Sequence, residues 1–151
     1  MISKVIMYNN GLILYKRSFN KININDFENT FQWYSLEPGY GIDSYGPIVN
    51  MYHLDKKTKL LDIGKIHNRK LIIKLFNKKY PNSNLDPIEI LDPNEQYSGG
   101  QSNKKAHELI KSIIGNNFDG TIIKESTVDD PELEGPTEVV LWHFQNLKQL
   151  N

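Results

Sequence analysis

Cysteine is absent from the chain, which excludes disulfide frameworks and thiolate zinc sites and suits a reducing compartment. Long hydrophobic runs are absent too: none reaches the roughly 20 residues that a membrane-spanning helix needs. The first ten residues carry one Lys and a short apolar run without a small-residue cleavage site. No secretory leader is therefore expected, and the reading is of a soluble, intracellular, cytoplasmic protein. Charge of one sign is also lacking. Lys plus Arg and Asp plus Glu each total 18, so no global basic field exists to capture nucleic acid or an anionic membrane, while a local patch stays open. What is present is a globular composition, 38% hydrophobic and 24% charged over 151 residues. That suffices for one core without staples and leaves no room for a second, so residues 1–151 are expected to form a single domain.

Residues 11–17 follow an Asn-Asn-Gly turn signal and are dense in aliphatic and aromatic side chains, which predicts a strand. A cap at Asn25 or Asp26 predicts a short helical turn to residue 29, and 31–36 reads as a second strand closed by Glu37-Pro38-Gly39. Beyond a segment with Gly39, Gly41 and Gly46, residues 48–54 and 59–63 read as strands joined through Asp55-Lys56-Lys57-Thr58, a polar cluster suited to a hairpin connection. Two helices follow. The first, 68–79, sets Leu71, Ile72, Leu75 and Phe76 at helical spacing for burial and is stopped by Pro81. The second, from a Ser102 cap to Ile114, aligns Ala106, Leu109, Ile110, Ile113 and Ile114 on one stripe ahead of Gly115. Between them 81–101, with Pro87, Pro93 and Ser98-Gly99-Gly100, predicts a long loop. Residues 119–125 and 137–142 predict the last strands, around an acidic loop over 126–136. Strands, then two helices, then strands imply an α+β fold with an antiparallel or mixed sheet.

Four segments taken in order carry a resemblance. Leu14-Tyr15-Lys16-Arg17-Ser18 is similar to a leucine-tyrosine-arginine opening strand. Trp33-Tyr34-Ser35-Leu36 with Asp43-Ser44-Tyr45-Gly46 is similar to a strand ending in Ser or Thr followed by a short helix ending in Tyr. Phe118-Asp119-Gly120-Thr121-Ile122-Ile123 resembles a late aromatic-Asp-Gly strand, and Thr137-Glu138-Val139-Val140-Leu141-Trp142 a strand opening with a catalytic glutamate. With Leu60-Leu61-Asp62-Ile63 these cover nearly the whole chain, which resembles the ADP-ribosyltransferase superfamily, of the kind carried by large DNA viruses. The resemblance implies an ADP-ribosyltransferase-like split antiparallel or mixed sheet with flanking helices. It also implies NAD as substrate and a macromolecular acceptor, protein or nucleic acid.

The same resemblance assigns roles residue by residue. Losing nicotinamide from NAD builds positive charge on the ribose, and a carboxylate beside that sugar stabilises it; Glu138 is the implied catalytic residue. Arg17 is implied to hold the diphosphate, since a guanidinium pairs with anionic oxygens. Lys16 is the alternative cation, because neighbouring strand residues point to opposite faces and the sequence leaves open which of the two meets the cleft. Ser35 would brace Glu138 or touch the ribose, and Tyr45 and Tyr34 are implied as nicotinamide platforms. Arginine-modifying members carry a second Glu or Gln two residues before the catalytic one; here Pro136 stands there, so arginine is not the acceptor this pattern favours. Two alternatives stay open: a catalytically inactive module on the same fold that binds a nucleotide or protein partner, and a phosphotransferase acting on RNA ends, which the neutral charge disfavours. His53, His67, His107 and His143 lack metal-ligand spacing and read as structural or surface residues, and Ser98-Gly99-Gly100-Gln101-Ser102 reads as a connection rather than a phosphate loop.

Overall fold

The computed structural model describes residues 5–6, 11–24, 31–39, 42–91, 100–123 and 138–151. Along them run β1 (Val5–Ile6), β2 (Leu12–Ser18), β3 (Gln32–Ser35), α1 (Ile42–Tyr45), β4 (Ile48–Leu54), β5 (Leu60–Asp62), α2 (Ile66–Lys79), α3 (Pro87–Ile90), α4 (Gly100–Ile114), β6 (Gly120–Ile123), β7 (Glu138–Leu141) and β8 (Leu147–Gln149). The strands form one mixed sheet in the order β1-β5-β6-β7-β3-β2-β4-β8, in which only β5 and β6 run parallel. The fold is α+β.

Strand alternation divides the side chains between two faces. One face gathers Leu14, Tyr34, Tyr52, Leu60, Ile122, Val139 and Leu141 into a buried cluster, flanked by Ile22, Ile24, Leu36 and Phe144. On the other, Leu61 and Ile123 meet Ile72 and Phe76 of α2 and Ala106, Leu109, Ile110 and Ile114 of α4. Each such buried aliphatic contributes about 1.5–3 kcal/mol relative to exposure. The helix-side cluster draws its strand residues from β5 and β6 and none from β2, β4 or β8. On that half, Tyr15, Val49 and Met51 are only partly buried and Ile13 is exposed.

The two halves of the sheet meet at a narrow seam. β2 and β4 share seven register pairs, and β3 and β7 share four, but β2 and β3 are bridged by Tyr15↔Ser35 alone. Lys16 fills the gap beside that bridge: its Nζ donates to the Trp33 carbonyl at 3.2 Å and lies 5.4 Å from the centre of the Tyr34 ring.

Several sequence expectations change. The 55–58 turn does not close a hairpin: β4 pairs with β2 and β8, whereas β5 pairs with β1 and β6. Asp119 draws β5 across, its N–H donating to the Lys59 carbonyl and its Oδ2 accepting the Lys59 N–H at 2.9 Å. The expected long loop contains α3, where Asp86 caps Ile88 and Glu89 and Pro87 opens the first turn. β1 and β8 were not expected; both are very short. In α2, Leu71 and Leu75 are half-buried while Asn68 and Arg69 take core positions. The expected helical turn at 25–29 and the acidic loop 126–136 lie outside the described residues.

The aromatic-Asp-Gly segment is a brace. The Phe118 carbonyl accepts Trp142 Nε1 at 2.9 Å, and Asp119 Oδ1 accepts from His143 Nδ1 at 3.1 Å and Gln145 Nε2 at 3.2 Å. A side chain on Gly120 would run into the Val140 carbonyl. This brace joins the starts of β5 and β6 to the end of β7, and so holds the far end of β7 from Glu138.

Candidate functional site

A single row crosses five strands: Met51, Tyr15, Ser35, Glu138 and Ile123 are register partners in turn. Directly opposed residues share a face, so Tyr15, Ser35 and Glu138 point to the helix side, and Arg17, two residues beyond Tyr15, points there too. At about 4.8 Å per strand, Tyr15 and Glu138 stand about 10 Å apart. The row passes from Ile123, 2% exposed under the helices, to half-buried Glu138, Tyr15 and Met51. It thus leaves the helical cover at Glu138 and Ser35. The edge of that cover is aromatic: the His107 ring of α4 lies 6.2 Å from Phe31 and 6.4 Å from Trp33, and its Nε2 pairs with Thr121 Oγ1 at 2.8 Å.

Ser35 is buried, and its Oγ accepts the Glu37 N–H at 2.9 Å. The hydroxyl proton is then available to a ligand or to the Glu138 carboxylate beside it.

Arg17 also clamps the backbone. Its Nε donates to the Pro38 carbonyl at 2.8 Å, and its Nη1 lies 3.4 Å from the carbonyls of both Gly46 and Pro47. The guanidinium thereby ties the turn after β3 to the corner after α1. That corner needs Gly46, which sits at φ 118° against the backbone of Ser18 and Phe19. Tyr45, 56% exposed, precedes it and is held at the rim. Nη2 has no hydrogen-bond partner among the described residues, so the cation keeps donors for an anionic oxygen.

Two of the expected contacts fall elsewhere. Lys16 and Tyr34 belong to the opposite face, where Tyr34 is 2% exposed and packs edge-on to Tyr52 at 5.4 Å between ring centres. Neither can share a pocket with Ser35 and Glu138. Burial pushes the Lys16 amine down to about 8 and the Tyr52 hydroxyl up to about 12. The Tyr34 hydroxyl is raised as well, by burial first and by Tyr52 second. These groups stabilise or strain the seam rather than line the row.

Tyr15 and Met51 were missed as row members. The signal was available in the alternation itself, since whichever face takes Arg17 must also take Tyr15. A separate pocket of about 500 Å³, lined by Lys21, Ile22, Asn23, Gln149, Leu150 and Asn151, lies at the β8 edge and contains none of the expected site residues. Among the described residues no group of three His, Cys, Asp or Glu side chains could hold a metal ion, and no helix is long and apolar enough to cross a membrane. The chain matches no family model, and searches of curated proteins and of solved structures find no match.

Proposed function

We propose that the chain has an ADP-ribosyltransferase-like fold, cleaves NAD and transfers ADP-ribose to a macromolecular acceptor, with Glu138 as the catalytic residue. The observation that carries this reading is the register Tyr15↔Ser35↔Glu138, with Arg17 on the same face. In the proposed reaction the C1′–N bond to nicotinamide breaks, and its electron pair neutralises the departing pyridinium nitrogen. The ribose gains cationic character that the Glu138 carboxylate offsets. An acceptor nucleophile then forms the new bond to C1′ and loses a proton. Ser35 orients the carboxylate or the ribose, Tyr45 offers a ring face for nicotinamide, and Arg17 shapes the rim and meets the diphosphate through Nη2.

The commitment of Nε and Nη1 to three carbonyls favours a second reading, a binding module that retains the cleft without turnover. Nicotinamide release from NAD, with and without a cell lysate as acceptor, separates the two. The transferase reading expects release by the wild-type protein and a loss of about 100-fold or more in Glu138→Gln, in line with removing a transition-state electrostatic partner. NAD binding without release by the wild type would establish the module; neither binding nor release would overturn both.

A further inference from the structure

The chain is neutral, yet its charge is not evenly spread. Helices α2 and α4 together hold eight Lys or Arg and one carboxylate, Glu108, a net charge of +7 on 29 residues. The segregation is sharpest on α2, which has no Asp or Glu along its 14 residues. Lys70, Lys74 and Lys78 follow one another at four-residue steps, so their side chains form a ladder on one side of the helix with about 6 Å between rungs. All three are exposed, and none has an ion pair or hydrogen bond among the described residues.

We propose that this ladder is a docking surface for the phosphate backbone of nucleic acid, bound without regard to base sequence. Three features select that partner. The ladder is linear and about 12 Å long, a span over which duplex DNA presents about seven phosphates. Its cations are lysines, compact point charges suited to phosphate contact, rather than arginines arrayed for bidentate reading of guanine. The residues exposed along α2 are His67, Lys70, Lys74, Asn77, Lys78 and Lys79; of its apolar residues Ile72 and Phe76 are buried in the core, Ile66, Leu71, Ile73 and Leu75 are half-buried, and none is exposed. An interfacial membrane helix would need an apolar face free to enter the lipid. The surface is distinct from the Glu138 row and does not depend on NAD chemistry.

The test is fluorescence anisotropy of the full chain with a labelled 20-base-pair DNA duplex, in parallel with vesicles containing phosphatidylserine. Three phosphate contacts predict that affinity for the duplex falls about 40-fold between 50 and 200 mM salt. The variant K70Q/K74Q/K78Q, checked for folding by circular dichroism, should lose at least tenfold in affinity at 50 mM salt, with the salt slope reduced by about three. K56Q/K57Q, removing two exposed lysines of the 55–58 turn that lie outside α2, should bind as the wild type does. Equal affinity of the wild-type and ladder variants, no binding at 50 mM salt, or vesicle binding that the duplex does not match would each overturn the proposal. Because the readout is binding alone, loss of nicotinamide release in Glu138→Gln leaves it unaffected.

Discussion

The two halves of the sheet are built on opposite plans. Strands β5, β6, β7 and β3 are held by continuous ladders, backed by helices on one face and braced through Asp119 at one end. Strands β2, β4 and β8 are laddered to each other, yet among the described residues they add nothing to the helix-side core, and Tyr15, Arg17, Val49 and Met51 on that face are half-buried. The candidate site occupies neither interior. Its Glu138 and Ser35 come from the backed half and its Arg17 and Tyr15 from the other half, and the two meet at one bridge. On the proposed function, a helix-backed side and a half-buried side together would suit a flexible, charged ligand, and no single strand could supply both.

The contrast can be broken by substitution. The largest effect is expected in the backed half: Gly120→Ala drives a methyl into the Val140 carbonyl, where backbone cannot yield, and should cost about 3 kcal/mol or more in chemical denaturation. Loss of under 0.5 kcal/mol would mean that the brace is looser than described.

In the other half the expected effect moves from stability to binding. Arg17→Ala removes the link between Pro38 and the Gly46–Pro47 corner. It should weaken NAD binding about tenfold in calorimetry, as befits loss of charge-assisted hydrogen bonds, while unfolding free energy changes by less than about 1 kcal/mol. Unfolding without any change in affinity would make Arg17 a purely structural clamp.

The smallest effect is expected at the seam itself. The folded chain holds the Lys16 amine down to about 8, against an ordinary value near 10.5. The unfolded chain therefore binds a proton that the folded chain has released, and unfolding free energy should rise as pH goes from about 8 to 10. Above that range the trend reverses, because Tyr34 and Tyr52, raised by burial, ionise first in the unfolded chain. Lys16→Met should abolish the rise. It should also stabilise the protein at pH 7 by about 1 kcal/mol, the relieved burial of charge outweighing the lost bond to Trp33. A pH profile unchanged by the substitution would contradict the buried-amine account.

How much of this was legible beforehand depends on the kind of signal. Strands β2, β3, β4 and β7 and both long helices were readable because their apolar periods extend over enough residues. The choice between Lys16 and Arg17 was a parity question that needed only one register pair to settle, and Tyr15 followed from the same parity. Partnering of β5 was not readable: a short polar turn before it looks like a hairpin, and only the long-range bonds of Asp119 carry it to the other end of the sheet. Strands of two and three residues, such as β1 and β8, lack a period to detect. The role of Arg17 was hidden because backbone carbonyls, which any residue supplies, are its partners. The lysine ladder was hidden by averaging, since an equal number of acidic residues elsewhere cancels it in the total charge.

The most direct measurement is a crystal structure of the chain soaked with NAD or a non-hydrolysable analogue. The account predicts that the nicotinamide ribose lies in van der Waals contact with the Glu138 carboxylate, with Ser35 beneath it and the diphosphate towards Arg17. A dinucleotide seated instead in the pocket at the β8 edge, or on the Lys16 face of the sheet, would contradict it.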